Sequence, residues 1–123
     1  MIVGIGTDIV EIVRIQKALK RKSFMQRVFT STEISYCLSV PAQQASSFAA
    51  RFATKEAVLK ALGTGLRGGK LTDIEVYRDS LGKPEVNLYN NIRELAVRNG
   101  VKKIHLSISH TSQNAIAQVV LEG

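Results

Sequence analysis

The sequence predicts an α+β fold in which a mainly antiparallel sheet packs on one long helix. Strand-like and helix-like periodicities are mixed along the chain without the regular βαβ alternation of a parallel sheet, and the last part reads as a short helix followed by a hairpin. With 123 residues, 45% of them hydrophobic, the chain can bury one modest core. A single domain over residues 1–123 is therefore expected.

Taken in order, residues 2 to 9 (IVGIGTDI) form the first expected strand, with Gly4, Gly6 and Asp8 on one face and Val3, Ile5, Thr7 and Ile9 on the other. The glycine face leaves room for another backbone or a ligand. From about Ile9 to Lys22 the period becomes helical, with Ile12, Ile15 and Leu19 on one side and Arg14, Lys17 and Arg21 opposite. Thr30 and Glu33 have the spacing of a capping box, which starts a short helix that ends before Pro41. A longer helix, about Ala42 to Leu62, is stopped by Gly63 and Gly65, where left-handed caps are common. Gly63, Gly65, Gly68 and Gly69 then predict a mobile loop. Strands are expected over Leu71 to Tyr77 and Glu85 to Tyr89 around a turn at Asp79 to Lys83. Asn90 to Asn99 reads as a helix closed by Gly100, and Lys103 to Ser109 with Ala115 to Leu121 as the closing hairpin.

Seventeen basic residues against ten acidic ones give a net charge of +7, and residues 12 to 32 carry Arg14, Lys17, Lys20, Arg21, Lys22 and Arg27 with no acid among them. Such a field attracts nucleic acid, membrane headgroups, a phosphorylated cofactor or an acidic protein, and charge alone does not choose. A nucleic-acid-binding module is the alternative to an enzyme; aromatic content of 6%, no tryptophan and no recognisable RNA- or DNA-binding motif weigh against it. No stretch has the roughly 20 apolar residues of a membrane span, and the first residues lack the pattern of a secretory signal, which points to a cytoplasmic protein. Cys37, the single cysteine, rules out an intrachain disulfide and a thiolate cluster. It reads as a half-buried structural residue, and any bound metal should have oxygen ligands.

Glu56 and Lys60 are neighbours on the long helix, between an apolar arc (Phe48, Phe52, Leu59, Leu62) and an alanine arc (Ala50, Ala53, Ala57, Ala61). They read either as a simple i,i+4 ion pair or as charges at a close-packed face, where burial demands compensation. Lys55 falls in the apolar arc and fits this scheme badly. Asp8 reads as a helix N-cap or, if brought beside Glu56, as the second ligand of a hard cation such as Mg²⁺, whose remaining positions suit water and phosphate. His110 shares the parity of Ile104, Leu106 and Ile108, so it ends its strand on the core or cleft side, as a structural histidine or a functional one. His105 faces the other way and has no assigned role.

Four segments in order, GIGTDIVEI at 4–12, RFATKEAVLKALGTG at 51–65, LGKPEV at 81–86 and LSISHT at 106–111, resemble the holo-acyl-carrier-protein synthase family of phosphopantetheinyl transferases. The second segment, F-x-x-K-E-A-x-x-K before a glycine turn, is the distinctive one. The resemblance implies transfer of phosphopantetheine from coenzyme A to a serine of apo-acyl carrier protein, in support of fatty acid biosynthesis. It also implies the short class of the family, a homotrimer with active sites between subunits.

Residue by residue, Asp8 and Glu56 match the family's Mg²⁺ ligands, Lys60 a phosphate-contacting lysine, and His110 a histidine that reaches the phosphates from the adjacent subunit. Glu56, Lys60 and His110 form the implied catalytic set. Arg51, Gly63, Thr64, Gly65 and Pro84, with Lys60 and His110, match positions lining the coenzyme A site. Arg14, Arg21, Lys22 and Phe24 match the surface that receives the acidic acyl carrier protein. Gln43, Gln44 and Ser23 depart from the pattern where relatives often carry cations.

Overall fold

The computed structural model describes residues 1–66 and 68–123. In chain order its elements are β1 (Ile2–Glu11), α1 (Ile12–Ala18), α2 (Lys22–Val28), α3 (Ser31–Leu38), a 3₁₀ turn (Pro41–Gln43), α4 (Gln44–Leu62), a second 3₁₀ turn (Leu71–Asp73), β2 (Ile74–Arg78), β3 (Pro84–Leu88), α5 (Asn90–Arg98), β4 (Lys103–His110) and β5 (Asn114–Glu122). The glycine loop expected between 63 and 69 includes position 67, which lies outside the described residues.

A three-stranded antiparallel sheet of order β1-β5-β4 lies against α4, and β2 with β3 forms a separate antiparallel pair. Register fixes which side chains meet the helix. Asp8, Ala117 and Ile108 form one row across the sheet, Gly6, Val119 and Leu106 the next, and Val10, Ala115 and His110 another. On β5 this face is built from Ala115, Ala117, Val119 and Leu121, all buried. The facing side of α4 is Ala50, Ala53, Ala57 and Ala61, likewise buried, so alanines of the helix meet the glycines of β1 and Ala115 and Ala117 of β5, and helix and strands approach closely.

The closest approach is at the glycines. A Cβ on Gly6 would overlap the carbonyl oxygen of Ala57, and one on Gly4 the carbonyl oxygen of Ala61. Thus the glycine face of β1 receives the backbone of α4, running antiparallel to it.

Several expectations hold in kind with altered bounds. The Thr30 hydroxyl accepts from Glu33 N–H at 3.2 Å and Glu33 accepts from Thr30 N–H at 2.9 Å, completing the capping box of α3. Gly63 caps α4 at φ 77°. The single helix expected over residues 9 to 22 is a correction: β1 runs on to Glu11, α1 ends at Ala18, and a further helix, α2, starts at Lys22. Pairing of Val10 with Ala115 and Glu11 with Asn114 extends the strand past the point where local periodicity turned helical. Cys37 is fully buried rather than half-buried, and burial, the largest influence, pushes its thiol up to about 11.

The other face of the three-stranded sheet is uncovered in the single chain, apolar along β1 and at Ile116 but polar along β4, at His105, Ser107 and Ser109. Ile5, Ile9 and Ile116 are 64%, 61% and 37% exposed, and Thr7 donates to Gln118 between them at 2.5 Å.

Candidate active site

The contact of Gly4 and Gly6 with α4 sets where the next residue of that face, Asp8, must stand. Asp8 lies inside β1 and paired with Ala117, so it is not a helix N-cap; Glu11 occupies that position in α1. Lys60 reaches across from α4, its ammonium donating to Asp8 Oδ1 at 2.9 Å and to the Thr7 carbonyl at 3.0 Å. The ion pair made by Lys60 is therefore with the strand, and not the i,i+4 pair with Glu56.

Glu56, one turn before Lys60, is half-buried and feels both charges. Burial, then the Asp8 carboxylate, hold its carboxyl above the usual range, and Lys60 pulls it part of the way back. Two carboxylates brought together at a close-packed face form a donor set of the kind that suits a hard divalent cation. Among the described residues no group of three His, Cys, Asp or Glu side chains is placed to hold a metal alone, so such an ion would need water or phosphate oxygens as well.

Lys55, which fitted no face of α4, is resolved by a partner that sequence spacing did not link to it. It is 0% exposed and pairs with the equally buried Glu33 at 2.8 Å. It also donates to the Leu71 carbonyl at 3.0 Å and to the Ile74 carbonyl, which uses all three ammonium hydrogens. Burial pushes this lysine's pKa down, and Glu33 opposes the push. Glu33 also accepts from Val76 N–H at 2.8 Å. One carboxylate thus closes the cap of α3, anchors β2 and pairs the middle of α4.

Beside Glu56 opens a cleft of about 660 Å³ with apolar walls from Phe24, Val28, Phe52, Leu66 and Leu71. Phe24, expected on the carrier-protein surface, is half-buried and stacks near Phe29 and Phe52, both at 6.3 Å between ring centroids. Arg14, Arg21 and Lys22 are exposed. Arg21 is the N-cap of α2, so the break after Ala18 separates it from the face of α1 that carries Arg14.

Arg51 is 3% exposed, its guanidinium over the Tyr36 ring at 4.6 Å and Nη1 donating to the Ser47 carbonyl at 3.2 Å, while its buried Nε has no hydrogen-bond partner. Pro84 pairs across β2 and β3 with Arg78, which reaches the same Tyr36 ring at 5.5 Å. Tyr36, which sequence reasoning passed over, therefore joins the neighbourhoods of Arg51 and Pro84. Gly63, Thr64 and Gly65 follow the far end of α4, about 18 Å along the axis from Arg51 at 1.5 Å per residue.

His110 is exposed at the end of β4 and lines a different groove, with Ile12, Gln16, Lys20, Gln44 and Ser46. It sits on the helix-facing side of the sheet, as its parity requires, in the row of Val10 and two strands away from it. Asp8, Glu56 and Lys60 are brought together within one chain, and His110 is not among them. His105, with no expected role, lies 2.7 Å from Glu122.

The sequence pattern of the 4′-phosphopantetheinyl transferase superfamily matches residues 4–120. The chain is similar to holo-(acyl-carrier-protein) synthase of Clostridium tetani, with 53% identity over 125 residues, covering 100% of this chain and 98% of that one. Among solved structures it is similar to holo-(acyl-carrier-protein) synthase of Neisseria meningitidis, at TM-score 0.90 and 35% identity over the full length of both chains. It is also similar to the Bacillus anthracis synthase in complex with CoA (3′,5′-ADP), at TM-score 0.83 and 41% identity, covering 100% of this chain and 98% of that one.

Proposed function

The chain belongs to the 4′-phosphopantetheinyl transferase superfamily, and on that premise we propose that it transfers phosphopantetheine from coenzyme A to a serine of apo-acyl carrier protein, releasing adenosine bisphosphate. The observation that carries this reading is the meeting of Asp8, Glu56 and Lys60, from a strand and a helix whose backbones touch. Support for coenzyme A as donor comes from solved relatives in complex with it.

Asp8 and Glu56 would hold Mg²⁺ against the diphosphate, which fits their oxygen donors and the burial and, after it, the Asp8 charge that raise Glu56. The ion would draw charge off the diphosphate and make the phosphorus more open to attack. Lys60 offsets charge that builds on the departing adenosine bisphosphate. Glu56, directly or through a water, would take the proton of the attacking serine hydroxyl; a carboxylate that also holds a cation has a low proton affinity, which favours the water. The remaining rate gain comes from holding the hydroxyl and phosphorus in line, since no covalent intermediate is required.

The nucleotide end of the donor is assigned to Arg51, Pro84, the Gly63–Thr64–Gly65 turn and His110. Because His110 stands apart from Glu56 in one chain, this assignment requires a neighbouring subunit, and the bare apolar sheet face of Ile5, Ile9 and Ile116 supplies a surface for a homotrimer. Arg14, Arg21, Lys22 and Phe24 are assigned to the acidic carrier protein, which accounts for the +7 charge better than nucleic acid does. The reaction would serve fatty acid biosynthesis. No helix among the described residues is long and apolar enough to cross a membrane, and a cytoplasmic setting is assigned with the carrier protein.

The direct test incubates the protein with coenzyme A, Mg²⁺ and an apo-acyl carrier protein and reads the carrier by mass spectrometry. One phosphopantetheine on the acceptor serine is expected. An unmodified carrier, with a known synthase active on the same batch, overturns the reading.

A further inference from the structure

Lys60 ends on two oxygens of β1, Asp8 Oδ1 at 2.9 Å and the Thr7 carbonyl at 3.0 Å. Its side chain is 55% exposed and that of Asp8 16%, so the pair sits at the mouth of the site, with the carboxylate walled in and the ammonium on the solvent side. The strand backbone that carries Asp8 is held against the helix, because Gly6, two residues before it, lies close to the carbonyl of Ala57. Glu56, from the same helix as Lys60, is the other acid close enough to feel Asp8. A carboxylate pair with one ammonium among them carries a local charge of −1 and has one of its oxygens already occupied. Any other cation that binds Asp8 through Oδ1 must first part it from Lys60.

We propose that Lys60 is a resident counter-ion of Asp8 which a divalent cation displaces, so that the lysine selects for cation charge at this site and is freed toward the incoming diphosphate. The inference rests on the reading of Asp8 and Glu56 as cation ligands. A monovalent ion gains nothing over the ammonium it would replace, because both bring one positive charge and the ammonium is tethered at high local concentration. A divalent ion doubles the attraction and can also use Glu56. Displacement leaves the freed ammonium unpaired beside the site, where phosphate oxygens are its natural next partner. Cation and lysine then reach the diphosphate as a consequence of one exchange at Asp8.

The test uses the intact protein and Mn²⁺ alone, without coenzyme A. A brief pulse of an amine-acylating reagent is followed by peptide mass spectrometry, and Mn²⁺ binding is titrated by electron paramagnetic resonance up to about 10 mM. In the wild type, Mn²⁺ should raise acylation of Lys60 at least threefold relative to Lys17 and Lys20, and Na⁺ at matched ionic strength should not. Lys60→Gln should bind Mn²⁺ about threefold more tightly than wild type, the range expected for removal of an exposed pair. In Asp8→Asn, Lys60 should acylate rapidly with or without Mn²⁺. Lys60 acylation unmoved by Mn²⁺, or a Lys60→Gln variant that binds no more tightly, overturns the exchange. If Asp8→Asn binds Mn²⁺ as tightly as wild type, the ligand assignment itself falls, and the exchange with it; if that variant loses Mn²⁺ while Lys60 stays unmoved in wild type, only the exchange falls.

Discussion

Gly6 of β1 and Ala57 of α4 meet backbone to backbone: a methyl group on Gly6 would overlap the Ala57 carbonyl oxygen and crowd the amide of Ala61. The contact joins the two elements that bear the acids, with Asp8 two residues after the glycine and Glu56 one before the alanine. A change there should be felt in both fold and chemistry. Gly6→Ala is expected to cost about 3 kcal/mol of unfolding free energy, the upper part of the range for overpacking, because the obstructing atoms are helix backbone. Urea denaturation checks the stability, and transfer by the folded fraction should drop with it; wild-type stability would contradict the contact.

Glu56 should show opposed effects on stability and activity. Its carboxyl is held above the usual range by burial and by Asp8, so the folded chain favours its protonated form. The stability this brings is present in acid and is lost as pH rises through the folded-state value. Glu56→Gln should therefore melt higher than wild type near neutral pH without divalent cation, with the gain vanishing in acid where wild type is already protonated. Transfer should be abolished and the assembly state unchanged. Wild-type turnover by this variant at saturating Mg²⁺ would reject the role given to Glu56.

The basic surface gives a separable prediction. Arg14 and Arg21 are exposed and neither enters an ion pair among the described residues. Reversing both to Glu should weaken carrier-protein binding at least tenfold at low salt and leave coenzyme A binding within about twofold, with the difference shrinking as salt rises. Equal carrier titrations for variant and wild type would remove this surface from the account.

Cys37 offers a control on the core. Its thiol lies at about 11 against an ordinary 9.0, chiefly through burial. The stability it contributes is complete below about 9.0 and declines as pH rises through about 11. The native protein should resist thiol alkylation at pH 8 and become reactive only on unfolding, as counted by mass spectrometry. Rapid labelling of the native chain would contradict this packing.

Much of this architecture was legible in local chemistry. The Thr30 and Glu33 spacing marked a real capping box, Gly63 ended α4 where a left-handed cap was expected, and the Gly4 and Gly6 face anticipated a close backbone neighbour. Most of the failures concern partners distant in sequence. The end of β1 was misjudged because pairing with β5 outweighs the helical period that begins near Ile9. The partner of Lys55 was hidden because Glu33 already had a local role in the cap, and one carboxylate with two oxygens can serve both. Tyr36 and the cleft beside Glu56 left no motif, since both arise only where separate elements converge. The candidate site is an expectation of the resemblance and not of spacing, because residues 8 and 56 carry no periodic relation.

The most direct measurement is anomalous diffraction at the manganese edge from crystals grown with Mn²⁺ and coenzyme A. The account predicts one peak at each site within about 2.5 Å of a carboxylate oxygen of both Asp8 and Glu56, a generous bound for oxygen coordination of a hard divalent ion, and facing the diphosphate. A fully occupied donor with no ion touching either carboxylate would contradict it.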